Sequence, residues 1–81
     1  MRILIVEDKE ENAYYLRALL QGNGYQVESA DHGVQALVMA GQALPDIVIS
    51  DLLMPGMDGY ALLRYWKGDS RRNQIPFVVY T

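Results

Sequence analysis

The sequence predicts an α/β fold in which a parallel sheet carries helices on both faces. Three observations predict it. Short apolar runs alternate with stretches of helical periodicity along all 81 residues. The helical stretches reach the roughly 10–15 residues that a right-handed crossover between parallel strands requires. The first run, Ile3-Leu4-Ile5-Val6, is apolar without alternation, as a strand covered on both faces must be.

The elements follow in order. After the first strand, Glu10 to Gln21 carries Ala13, Leu16, Leu19 and Leu20 at helical spacing. Gly22-Asn23-Gly24 ends that helix, because glycine enters the left-handed region at little cost. Tyr25 to Ala30 is a second strand, less apolar than the first and so expected near an edge. Asp31 or His32 opens the next turn. Val34, Leu37, Val38 and Gly41 then recur as the stripe of a second helix, and Pro45 closes the connection. Ile47-Val48-Ile49 is a third strand running into Ser50-Asp51. A loop follows, with Asp58 placed to cap a third helix whose stripe is Gly59, Leu62, Leu63 and Trp66. Residues 68–74 are polar and turn-like. Pro76 to Tyr80 is the fourth strand, with proline at the first position, where no ladder hydrogen bond is lost.

Composition narrows the function classes. Hydrophobic residues make up 51% and charged residues 21%, a globular balance and not that of a disordered tail. The absence of cysteine excludes a disulfide scaffold and thiolate metal sites. His32 is the only histidine, so no multi-histidine metal site can form. The net charge of −3 argues against direct binding of nucleic acid or an anionic membrane. No apolar run nears the roughly 18 residues of a membrane span. The opening run is cut off by Glu7 and Asp8 well short of the about 7–15 apolar residues of a secretory signal. The cytoplasm is the expected location.

In parallel sheets of this kind, ligands bind at the carboxyl ends of the strands. The first strand ends in Glu7-Asp8, the third in Asp51 and the fourth in Thr81. If these strands are neighbours, three carboxylates and a hydroxyl meet on one rim. Carboxylates so placed repel unless a cation intervenes. An all-oxygen donor set favours a hard ion, and Mg²⁺ suits an open site that retains water. The plainer alternative is a set of solvated acids, with Asp8 as the N-cap of the first helix.

These residues carry a resemblance. Ile3-Leu4-Ile5-Val6-Glu7-Asp8, then Pro45-Asp46-Ile47-Val48-Ile49-Ser50-Asp51, then Met54-Pro55-Gly56-Met57-Asp58-Gly59, resemble the receiver domain of two-component response regulators over the whole chain. The resemblance implies a flavodoxin-like sheet ordered 2-1-3-4. It implies that Asp51 accepts a phosphoryl group from a histidine kinase or a histidine phosphotransfer protein. Asp8, Asp51 and the backbone carbonyl of Leu53 would hold Mg²⁺, Glu7 would assist through water, and the Thr81 hydroxyl would report phosphorylation. The protein would be a phosphoryl-accepting switch and not a turnover enzyme. An aspartyl-phosphate hydrolase would need a second aspartate where Leu53 stands. A nucleotide-binding domain would need a phosphate-cradling loop where the acidic Glu7-Asp8-Lys9-Glu10-Glu11 stands.

The family has five strands and five helices, so residues 1–81 are expected to be the N-terminal two-thirds of a receiver. Neither Lys9 nor Lys67 matches the family lysine that follows the fifth strand. Without that lysine, phosphorylation of these 81 residues is expected to be weakened, and an open fourth strand is expected to invite self-association. The rival reading is a pseudo-receiver that only associates with other proteins. The family docks its phosphodonor on the first helix, so an exposed Tyr14 or Tyr15 would be a contact. Tyrosines covering the core are the alternative there, and packing roles are expected for Tyr60, Tyr65 and Trp66. Arg71-Arg72 reads as a solvated turn, and His32 as a helix-start residue without a role.

Overall fold

A computed structural model describes residues 1–54 and 56–80. The elements run β1 (Arg2–Val6), α1 (Glu10–Gly22), β2 (Gln26–Ala30), α2 (Gly33–Gln42), β3 (Ile47–Asp51), α3 (Gly59–Lys67) and β4 (Phe77–Tyr80). The four strands form one parallel sheet ordered β2-β1-β3-β4, which is the expected order. The apolar run of β1 lies at its centre, with Ile3, Leu4, Ile5 and Val6 all buried. The more polar β2 lies at the edge. Asp46 clamps the lower end of the β1–β3 pair, since its carboxylate accepts the Arg2 amide at 2.7 Å while its own amide donates to the Arg2 carbonyl at 2.8 Å.

The pleat sends alternate side chains to opposite faces. Leu4, Val6 and Val48 face α2 and α3, and with Ala30, Ala36, Ala40, Met54, Leu62 and Trp66 they make the core. Phe77 packs against that cluster from β4, its ring centroid 5.8 Å from that of Trp66. The helix boundaries have local causes. Gly24 adopts φ +89°, the left-handed turn that ends α1. The Asp58 carboxylate accepts the Ala61 amide at 2.9 Å and caps α3.

Several side chains sit differently from expectation. In α2 the buried positions are Gly33, Ala36 and Ala40, while Val34 and Val38 are exposed. The small residues let the helix axis approach the sheet closely, so the stripe that counts is the narrow one. Leu19 of α1 is likewise exposed, leaving Ala13 as that helix's buried residue. Asp8 is not a cap: Lys9 holds the N-cap position of α1, with no side-chain hydrogen bond. His32 has a role after all. Its Nδ1 accepts the Gln35 amide at 3.1 Å and caps α2. Tyr14, Tyr15, Tyr60 and Tyr65 are all exposed and not packed inward. Arg72 is not merely a solvated turn residue, because its guanidinium lies 5.3 Å from the Trp66 ring centroid.

Candidate functional site

The β1–β3 register pairs Val6 with Ser50, so the next residue on each strand, Glu7 and Asp51, emerges side by side at the carboxyl edge. Asp8 follows at the mouth of the β1–α1 loop. Carboxylate oxygens of Glu7, Asp8 and Asp51 all lie within 4.8 Å of one another, as the strand ends implied. Glu7 and Asp51 are buried and Asp8 is exposed, so the cluster opens to solvent on one side.

Backbone and side-chain donors fix the two buried acids. The Leu53 amide donates to Asp51 Oδ1 at 3.1 Å, a local turn that holds the aspartate in one orientation. The Lys9 amide donates to Glu7 Oε2 at 3.2 Å, and the Tyr80 hydroxyl donates to Glu7 Oε1 at 2.6 Å. Tyr80 is the residue that sequence reasoning missed. It closes a hydrophobic strand, and its partner stands 73 residues away. Thr81, expected at the same strand end, and Pro55 lie outside the described residues.

The electrostatics of the two acids differ in sign. Burial pushes the Asp51 carboxyl up, the charges of Glu7 and Asp8 push it further, and the Leu53 amide opposes them without winning. Burial also pushes Glu7 up, but the Tyr80 hydroxyl and the Lys9 amide together bring it below the usual range. Burial and the neighbouring Glu7 carboxylate push the Tyr80 phenol up, so it stays protonated and remains a donor.

A pH dependence follows for Asp51. A group whose value is raised on folding favours the fold only while it is protonated. That contribution is complete below the unfolded value of 3.8 and lost as pH rises through the folded value. At pH 7, therefore, the Asp51 charge opposes folding. Asp51→Asn is expected to raise the thermal midpoint in metal-free buffer at pH 7, because it removes that charge. The gap should narrow on acidification, and melting curves at pH 7, 5.5 and 4 check it. An equal or lower midpoint for the variant at pH 7 would contradict this account.

A parallel sheet in the 2-1-3-4 order with an acidic cluster at its carboxyl edge defines an α/β receiver-type fold. The chain belongs to the response regulator receiver domain family, which it matches over residues 3–81. It is 45% identical over 80 residues to the response regulator PleD of Caulobacter vibrioides, covering 99% of this chain and 18% of that protein. It is 38% identical to the protein PilH of Pseudomonas aeruginosa, again over 99% of this chain but 66% of the relative. Among solved structures it is similar to the signal receiver domain of a histidine kinase from Syntrophus aciditrophicus. That match has a TM-score of 0.95 and 44% identity, and covers 99% of this chain and 61% of that one. The chain thus spans under two-thirds of that domain and a smaller share of PleD. No helix of the described residues is long and apolar enough to cross a membrane.

Proposed function

We propose that the chain is the phosphoryl-accepting part of a two-component receiver, with Asp51 as acceptor and a phosphohistidine of a kinase or phosphotransfer protein as donor. The observation that carries this reading is the convergence of Glu7, Asp8 and Asp51 within 4.8 Å at the carboxyl edge of the sheet. It takes residues 1–81 as the N-terminal two-thirds of the receiver unit, in keeping with the 66% and 61% coverage of PilH and the Syntrophus domain. The intact acidic cluster favours it over a module that only associates.

The donor set suits a hard divalent ion: three clustered carboxylates, with no histidine or cysteine in the cluster among the described residues. Asp8, Asp51 and the Leu53 carbonyl would hold Mg²⁺, with Glu7 acting through water. Mg²⁺, when bound, neutralises charge developing on the phosphoryl oxygens. Asp51 is the nucleophile. One of its carboxylate oxygens forms a bond to phosphorus as the bond from phosphorus to the donor's imidazole nitrogen breaks. The electron pair leaves with that nitrogen, and the product is an acyl phosphate. The Leu53 amide holds the aspartate in place for attack. Thr81 is the residue proposed to meet the phosphoryl oxygen afterwards. Tyr14 and Tyr15 stand exposed on α1, where a donor protein would dock in this reading.

Intact-mass measurement after incubation with a small phosphodonor tests this. A phosphoryl adduct that requires Mg²⁺ and is lost in Asp51→Asn is the expected result. An adduct retained by the variant would remove Asp51 as acceptor, and a folded sample that gains none would mean that residues 1–81 alone form an incomplete site.

A further inference from the structure

Glu7, Asp51 and Tyr80 form one row across three adjacent strands. The register pairs Asp51 with Tyr80, and Glu7 follows the Val6–Ser50 pair. Residues in register on parallel strands share a face of the sheet, so the three side chains rise on the same side. Strands are spaced about 4.8 Å apart, so β4 and β1 lie two spacings from each other. The Tyr80 side chain leans past β3 to bring its hydroxyl to Glu7 Oε1 at 2.6 Å. The distance is that of a charge-assisted O–H···O⁻ bond. Glu7 is nearly solvent-free at 2% exposure, and its other oxygen takes the Lys9 amide. Both carboxylate oxygens are therefore oriented, one from β4 and one from its own loop.

We infer that Tyr80 is a positioning residue for cation binding: its hydroxyl fixes the Glu7 carboxylate beside Asp8 and Asp51, so that the site is formed before the ion arrives. This rests on the Mg²⁺ reading proposed above. Partners that orient a metal-site carboxylate in this way typically change affinity about 10–100-fold when removed. Phenylalanine at this position keeps the ring and its packing but has no donor. Glu7 Oε1 would then be buried without that hydrogen bond, and the carboxylate would be free to turn away.

The test is titration calorimetry with Mg²⁺ on the unsubstituted chain, Tyr80→Phe, and Tyr65→Phe as an exposed control on α3. The expected result is an affinity at least about tenfold weaker for Tyr80→Phe and unchanged for Tyr65→Phe. A second readout is independent of the variant. The ¹³Cζ resonance of Tyr80, assigned through its backbone in the unsubstituted chain, should move as Mg²⁺ is added, since its hydrogen-bond acceptor belongs to the ion's surroundings. Tyr65 should not respond. A ring that merely packs would leave the Tyr80 resonance still. Mg²⁺ binding by the unsubstituted chain with equal affinity in Tyr80→Phe, or with an unresponsive Tyr80 resonance, overturns this inference alone. No binding by the unsubstituted chain overturns the Mg²⁺ reading and this inference with it.

Discussion

Gly59→Ala is expected to cost about 3 kcal/mol or more and to disturb Asp51 at the same time, the upper end of what overpacking produces. A Cβ at Gly59 would stand 2.7 Å from the Asp51 carbonyl oxygen and 2.9 Å from the Leu52 Cα. Both are backbone atoms, so no rotamer change relieves the clash. The Gly59 amide also donates to the Leu52 carbonyl at 3.0 Å, which ties the start of α3 to the end of β3. The first turn of α3 would have to lift, and the Asp51–Leu52 peptide would move with it. Gly33→Ala is the matched control. Its Cβ would come within 2.7 Å of Met57 Sδ and 3.1 Å of Met57 Cγ, part of a flexible side chain that can swing aside. That substitution is expected to cost under about 1.5 kcal/mol. Urea midpoints of the two variants check the pair. Equal losses would show that the backbone contact at Gly59 is easily relaxed.

Trp66→Ala is expected to destabilise by about 3–5 kcal/mol. The indole is fully buried, with Phe77 on one side and the Arg72 guanidinium over its ring. Its removal opens a cavity between α3 and β4 that the sheet cannot close. At about 0.05–0.15 kcal/mol per residue, 81 residues carry roughly 4–12 kcal/mol in total, so the variant stands at or near the unfolding threshold. Trp66→Phe separates volume from polarity. It loses part of the ring but also removes the buried Nε1–H, which has no hydrogen-bond partner among the described residues. It should cost less than the alanine change by at least about 1 kcal/mol. Denaturant titrations with an unchanged slope would report these differences. An alanine variant as stable as the phenylalanine one would mean the cavity collapses.

Most of what positions the site was legible in the sequence, for identifiable reasons. An unbroken apolar strand ending in two acids is hard to place anywhere but the middle of a parallel sheet, and Asp58 capped where its type and spacing required. What escaped reading depended on distance or on size. The Tyr80–Glu7 bond joins opposite ends of the chain, and nothing in Phe77-Val78-Val79-Tyr80 marks the last residue as polar in use. The face of α2 was misplaced because apolar periodicity favours valine over glycine and alanine, whereas close approach to the sheet selects the small residues. Arg72 reads as solvated because its charge dominates its type, yet its guanidinium lies over the Trp66 ring.

The central position of β1 has a consequence for synthesis. β1 leaves the ribosome before both of its partners. Ile3 pairs with Val27 on one side and with Ile47, 44 residues downstream, on the other. At about 5–20 residues per second, the second edge of β1 waits roughly 2–9 s for its partner to be translated. Through that interval the nascent chain carries Ile3-Leu4-Ile5-Val6 with at most one side paired, an apolar edge open to mispairing until β3 is complete.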